Sequence, residues 1–199
     1  MKFKALLVDS PWQYANPNTG GSLKSGANAK YNTMSLKELC SLPVKKVADN
    51  NSVLFLWVTT PLKYEIAQSG LIEKWGFKYK TTIYWKKTGN LGLGFNFRNQ
   101  VEECWMCVRG KVIPFRTSSP NIIEDLVEEF GDSIIEEKPM GHSKKPEGFF
   151  KLVEPSLEKF KLNPKLEMFA RTVRPEWHAI GNEITGNDIR IDLKKLIKL

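Results

Sequence analysis

Two short segments, FKALLV at Phe3–Val8 and SVLFLWV at Ser52–Val58, carry apolar residues at consecutive positions and not at alternate ones. A strand with one wet face alternates. A strand that is apolar on both faces must be covered on both, as in a parallel sheet between helical layers. The intervening segments fit that demand. MSLKELCSL offers Ser35 as an N-cap before a short helix. PLKYEIAQSGLIEKW (Pro61–Trp75) predicts a helix with Pro61 at its start and Gly76 past its end, and Leu62, Ile66, Leu71 and Trp75 share one face. FKYKTTIYW (Phe77–Trp85) alternates as a strand, and VEECWMCV is a further one. NIIEDLVEEF and PEGFFKLVEPSL predict helices, and KLEMFAR a late strand. The expectation is an α/β fold with a mostly parallel sheet flanked by helices, in one domain spanning 1–199. The tail DIRIDLKKLIKL reads as an amphipathic helix with Ile189, Leu193, Leu196 and Ile197 on one face. That face either packs on its own domain or makes 184–199 an extension that meets a partner subunit or a second copy in a homodimer.

The formal net charge of +8 favours a polyanionic partner, nucleic acid first. No apolar run approaches membrane-spanning length, and the start MKFKALLVDS has no signal-peptide pattern, so no membrane partner and a cytoplasmic location are expected. Cys40, Cys104 and Cys107 are too few for a disulfide framework. In a strand, Cys104 and Cys107 point to opposite faces and cannot easily grip one metal. His142 and His178 lie far apart without clustered acids, so no metal site is expected.

The first strand ends in DSPW, Asp9–Trp12. Ligands of open α/β sheets bind beyond the carboxyl ends of strands. There a carboxylate can accept from a substrate amine, a proline fixes the backbone so that a carbonyl points the same way, and a tryptophan offers a flat stacking face. Together these grip a heteroaromatic ring bearing an exocyclic amine, adenine or cytosine. The lone pair of such an amine is delocalised into the ring. Two acceptors on its hydrogens favour a pyramidal nitrogen that can attack an electrophilic methyl group. Two polar loops, Asn16–Lys30 and Lys86–Arg98, supply Lys24, Lys30, Lys86, Lys87 and Arg98 among glycines. They are read as phosphate contacts for a strand whose target base is unpaired or flipped.

These features resemble the MT-A70-like N6-adenine methyltransferases, whose small bacterial and phage members stand alone. DSPW is similar to the family's D-P-P-W, with Ser10 in place of its first proline. YNTM (Tyr31–Met34) resembles Y-x-x-M, and LFLWVTTP (Leu54–Pro61) resembles the family's next strand. WGFKYKTTIYWKKT resembles its W-G-[FY] strand ending in W-x-K, and GLGFNFRNQVEECWMCVRG its G-x-G-x-x-x-R-N-x-x-E segment. HSKKPEGFF (His142–Phe150) resembles H-S-x-K-P-[DE], and LEMFARTVRPEWHAIGNE (Leu166–Glu183) resembles E-L-F-A-R…W…G-N-E. The matches come in the family's order and run from Lys4 to Glu183.

The resemblance implies a Rossmann-like methyltransferase fold with permuted motif order, S-adenosylmethionine as cofactor, and methyl transfer to adenine N6 in nucleic acid, DNA favoured over RNA. It implies that Asp9 and the Ser10–Pro11 backbone hold the N6 amine, that Trp12 stacks on the base, and that Tyr31 and Trp57 line the pocket. Lys145 would pair with the methionyl carboxylate of the cofactor, with Arg171 and His142 beside it, Asp9 nearby, and Asn182 and Glu183 on the ribose hydroxyls. The lining carbonyl survives the Ser10 change, because it belongs to the backbone. A non-catalytic nucleic-acid-binding or scaffold subunit of a methyltransferase complex is the alternative, and cytosine N4 methylation uses the same amine chemistry.

Overall fold

A computed structural model describes residues 1–14, 33–87, 101–112, 122–124 (backbone) and 145–199. Its centre is one seven-stranded sheet of order β5-β3-β4-β2-β1-β6-β7. The strands are β1 Phe3–Val8, β2 Ala48–Val58, β3 Lys78–Lys86, β4 Val101–Arg109, β5 Ile122–Glu124, β6 Lys165–Met168 and β7 Trp177–Ile180. β1 lies parallel to β2 and to β6, β6 to β7, and β3 to β5. β4 runs antiparallel to both of its neighbours, β2 and β3. The mostly parallel α/β sheet expected from the sequence is therefore present, with one reversed strand in it. β2 begins four residues before the apolar run, because Ala48 pairs with Phe3 across an irregular step in the β1–β2 ladder.

The alternation of the central strands feeds two cores, one on each face. Leu6, Val8, Leu54, Leu56 and Val58 enter the first, with Leu166 and Met168. Ala5, Leu7, Val53, Phe55 and Trp57 enter the second. Cys107 belongs to the first core and Cys104 to the second, so the two thiols of CWMC do face apart. Burial raises the Cys104 thiol well above its ordinary range and the Cys107 thiol to about 12, as expected of inert packing residues.

Helix α1 (Leu36–Ser41) starts at Ser35, whose hydroxyl accepts from the Glu38 N–H while Glu38 reaches back to the Ser35 N–H, a full capping box. One turn, α2 (Val44–Val47), follows. The single helix expected over Pro61–Trp75 is broken into a 3₁₀ turn at Thr60–Leu62, α3 (Lys63–Gln68) and α4 (Leu71–Lys74). The break is at Gly70, whose φ of +67° is left-handed and re-aims the chain. The apolar face survives the break: Ile66, Leu71 and Trp75 are all buried. A second departure falls in NIIEDLVEEF, where Ile122–Glu124 forms an edge strand paired with Tyr84–Lys86 and not a helix. Two adjacent β-branched residues beside an open sheet edge favour the ladder over helical propensity.

Helix α5 (Glu147–Lys159) covers the second core through Phe149, Phe150, Val153 and Leu157. The one-turn α6 (Asn182–Thr185) follows β7, and α7 (Ile189–Lys198) closes the chain. Ile189, Leu193 and Leu196 of α7 are buried in the first core, whereas Ile197 is 37% exposed. The tail therefore packs on its own domain through most of its apolar face. Among the described residues no helix is long and apolar enough to cross a membrane.

Candidate active site

The carboxyl ends of β1, β2, β3, β6 and β7 point the same way, and reversed β4 brings its first residues among them. β1 leaves the sheet at Asp9. The turn that follows is tied down by its backbone. The Trp12 N–H donates to the Ser10 carbonyl at 2.9 Å, the Met34 N–H to the Pro11 carbonyl at 2.8 Å, and the Gln13 N–H to the Met34 carbonyl at 3.2 Å. Tyr14 adds an anchor by donating its hydroxyl to Thr59 Oγ1 at 2.8 Å, just past β2. The Ser10 and Pro11 carbonyls each keep a second lone pair for another donor.

Asp9 continues the alternation that puts Leu7 and Trp57 in the second core, on the α5 side of the sheet. Lys145, two residues before α5, meets it there. Its ammonium lies 3.2 Å from Asp9 Oδ1 and 3.0 Å from Glu102 Oε2, and 5.0 Å from the centre of the Trp57 ring. The other oxygen of Glu102 binds Lys87, whose ammonium also lies 5.1 Å from the Trp85 ring centre. Burial works against the Lys145 charge, but Asp9 and Glu102 outweigh it and hold the ammonium above its ordinary range. Burial likewise pushes the Glu102 carboxyl up, and Lys145 with Lys87 reverses this and leaves it below the usual carboxylate range.

Glu167, on β6, stands opposite Leu7 of β1 and shares the sheet face of Asp9. Burial raises its carboxyl, Arg174 opposes and Asp9 adds to the rise, and the result is about 7. Arg174 grips Glu147 at the start of α5 with two bonds of 2.9 and 2.8 Å and stacks 3.4 Å from the Phe150 ring centre. This clamp joins the segment after β6 to the helix that follows Lys145. Beyond β6 and β7, Arg171 Nε comes within 3.7 Å of Glu183 Oε1, and exposed Asn182 opens α6. Gly181 is needed between them. Its φ is +148°, and a Cβ there would sit 3.0 Å from the Phe169 and Ala170 backbone.

The fold thus gathers Asp9, Trp57 and Lys145 at one point, with Arg171, Asn182 and Glu183 at the neighbouring strand ends. Trp57 is 1% exposed and lies beneath Lys145. Trp12 is 6% exposed and packs in the first core, on the opposite side of the sheet from Asp9. Lys86 is exposed at the end of β3, and the charge of Lys87 is engaged by Glu102. Tyr31, Lys24, Lys30, Arg98 and His142 lie outside the described residues. Sequence reasoning did not single out Glu102 or Glu167. Both were signalled, as the last acid of the G-x-G…E segment and the acid of LEMFAR. Among the described residues no group of three His, Cys, Asp or Glu could hold a metal ion.

The sequence pattern of the MT-A70 family matches residues 3–183. The type II methyltransferase M.MunI of a Mycoplasma species is 30% identical over 206 aligned residues, which cover 96% of this chain and 81% of that protein. The mouse N(6)-adenine-specific methyltransferase METTL4 is 25% identical over 92% of this chain, but the match spans only 37% of its own length. The Arabidopsis thaliana N6-adenosine-methyltransferase non-catalytic subunit MTB is 31% identical over 69% of this chain and 18% of its own.

Proposed function

The chain belongs to the MT-A70 family, and from that premise we propose that it transfers a methyl group from S-adenosylmethionine to adenine N6 in nucleic acid, with DNA favoured over RNA. The observation that carries the reading is Asp9 at the end of β1, beside the Ser10 and Pro11 carbonyls and 3.2 Å from the Lys145 ammonium. The Asp9 carboxylate and the Ser10 carbonyl accept the two hydrogens of the amine and turn its lone pair outward. The methylated amine is acidic, and its proton passes to Asp9 or to water.

The donor set suits the cofactor. Lys145 offers a cation for a carboxylate and Glu183 an acceptor for vicinal hydroxyls. Two buried polar atoms, Ser10 Oγ and Trp57 Nε1, lack a protein partner among the described residues. S-adenosylmethionine, when bound, supplies an electrophilic methyl group. Lys145 and Arg171 orient it, and Asn182 and Glu183 hold its ribose. The family resemblance would assign Tyr31 to the base pocket and His142 to the cofactor side. Trp57 supports the pocket from below through Lys145. Lys24, Lys86 and Arg98 contact phosphates while the target base is out of the stack. Trp12 stacks on the base in this reading, and its packing against the first core holds the turn in shape.

DNA is favoured because a relative matched over 81% of its own length is a bacterial type II methyltransferase. The relatives named for adenosine extend far beyond the match. The likeness to a non-catalytic subunit supports a second reading, a partner-bound scaffold. Retained Asp9, paired with Lys145, argues for the catalytic one. The two separate in one experiment, in which the protein is incubated with DNA or RNA and isotope-labelled cofactor and the nucleosides are weighed by mass spectrometry. Labelled N6-methyladenine in DNA is expected. Labelled N4-methylcytosine would move the reading to the other amine, and no label together with no cofactor binding in calorimetry would make the chain a scaffold.

A further inference from the structure

We propose that Glu102 is a positioning residue for methyl transfer: its carboxylate, shared between Lys87 and Lys145, holds the Lys145 ammonium midway to Asp9 and so keeps an Asp9 oxygen free for the substrate amine. This rests on the reading of Asp9 and Lys145 given above.

The geometry is an alternating chain of charge. Lys87 binds one oxygen of Glu102, the other lies 3.0 Å from Lys145, and Lys145 lies 3.2 Å from Asp9 Oδ1. An ammonium has three donors and no preferred plane. With Asp9 as its one anion, Lys145 would settle across both Asp9 oxygens and compete with any incoming amine. A second carboxylate at a similar distance divides its donors and leaves the third N–H for the cofactor carboxylate, with the Trp57 face beside the cation. Glu102 can hold this position because its backbone is fixed. It sits on β4 opposite Trp85 of β3, next to Glu103, which pairs with Val58 of β2. A carboxylate on a strand hydrogen-bonded to both neighbours is aimed more tightly than one on a loop. Lys87 completes the arrangement. Without it, the whole Glu102 charge would fall on Lys145 and draw it off Asp9.

The test uses Glu102→Gln, Glu102→Asp, Lys145→Ala and the double variant Lys145→Ala/Glu102→Gln. Methyl transfer to DNA is followed at steady state, S-adenosylhomocysteine binding by calorimetry, and folding by thermal melting. Glu102→Gln should lower kcat about tenfold or more, while its Kd for S-adenosylhomocysteine stays within about threefold of wild type. Glu102→Asp keeps the charge on a shorter arm and should recover part of the loss. In the Lys145→Ala background, Glu102→Gln should add less than about twofold, because its effect runs through Lys145. An unchanged kcat in Glu102→Gln, or losses that multiply in the double variant, would overturn the proposal. A Glu102→Gln protein that melts early and loses kcat and binding together, with no recovery in Glu102→Asp, would also overturn it, as the mark of a merely structural role. If Lys145→Ala binds S-adenosylhomocysteine as tightly as wild type, the reading of Lys145 itself fails and takes the proposal with it.

Discussion

Replacing Glu167 with glutamine should change how stability depends on pH, in a direction fixed by the sheet. Glu167 stands on β6 between Leu7 of β1 and Ala179 of β7. Burial raises its carboxyl, Arg174 resists and Asp9 adds to the rise, from 4.5 to about 7. A carboxyl raised in the folded state holds more protons folded than unfolded. Its contribution is therefore fully favourable below the unfolded value and is lost as pH climbs through the folded one. Each unit of pKa difference is worth about 1.4 kcal/mol, so ionising Glu167 costs the folded state up to roughly 3 kcal/mol by about pH 8. Glutamine keeps the shape and does not titrate. The stability difference between variant and wild type should be flat below about pH 4 and move by roughly 2–3 kcal/mol in favour of glutamine by about pH 8. In a domain of this size that is on the order of 5–10 °C in Tm. Urea unfolding of both proteins at four pH values and one ionic strength measures it. Parallel stability curves would refute the argument, because the other titrating groups are common to both.

Asp9→Ala should reduce methyl transfer by about a hundredfold or more and leave the melting temperature nearly unchanged, since Asp9 is part-exposed and outside both cores. Activity within about threefold of wild type would remove Asp9 from the chemistry. Ser10→Pro deletes a buried hydroxyl that has no partner among the described residues and stiffens the turn, so it should raise Tm by a few degrees and preserve or increase activity. A folded, inactive variant would assign the Ser10 hydroxyl or N–H a role of its own. Gly181→Ala should cost about 1–3 kcal/mol in denaturant unfolding and weaken binding of S-adenosylhomocysteine, because the new Cβ would press on the Phe169–Ala170 backbone. Stability equal to wild type would mean that the approach of β6 and β7 is loose.

The strands were legible because their apolar runs had no second explanation. β1 occupies the run that announced it, and β3 lies within one residue of its expected span. The reversal of β4 was not legible, since VEECWMCV reads the same in either direction of travel. Only its pairing with both β2 and β3 decides it. The helix over Pro61–Trp75 failed at Gly70, where the apolar spacing stayed helical while the backbone did not. Ile122–Glu124 was misread because strand pairing at an edge depends on Tyr84–Lys86, which no local window contains. In the site, Asp9 and Lys145 lie more than a hundred residues apart in sequence, and motif order alone joined them before the fold did. Trp12 was singled out for its chemistry, and the turn after Ser10 sets its ring against the first core.

The reversal of β4 has a consequence for how such a chain can diversify. The chain leaves the sheet after Lys86 and returns at Val101, and these two residues are directly paired neighbours in the ladder. Whatever is inserted or removed between them hangs from a closed hairpin base, so the register of β3 on β4 need not change. A lineage could change the length or sequence of residues 88–100 while the strand that carries Glu102, and its contact with Lys145, stay in place.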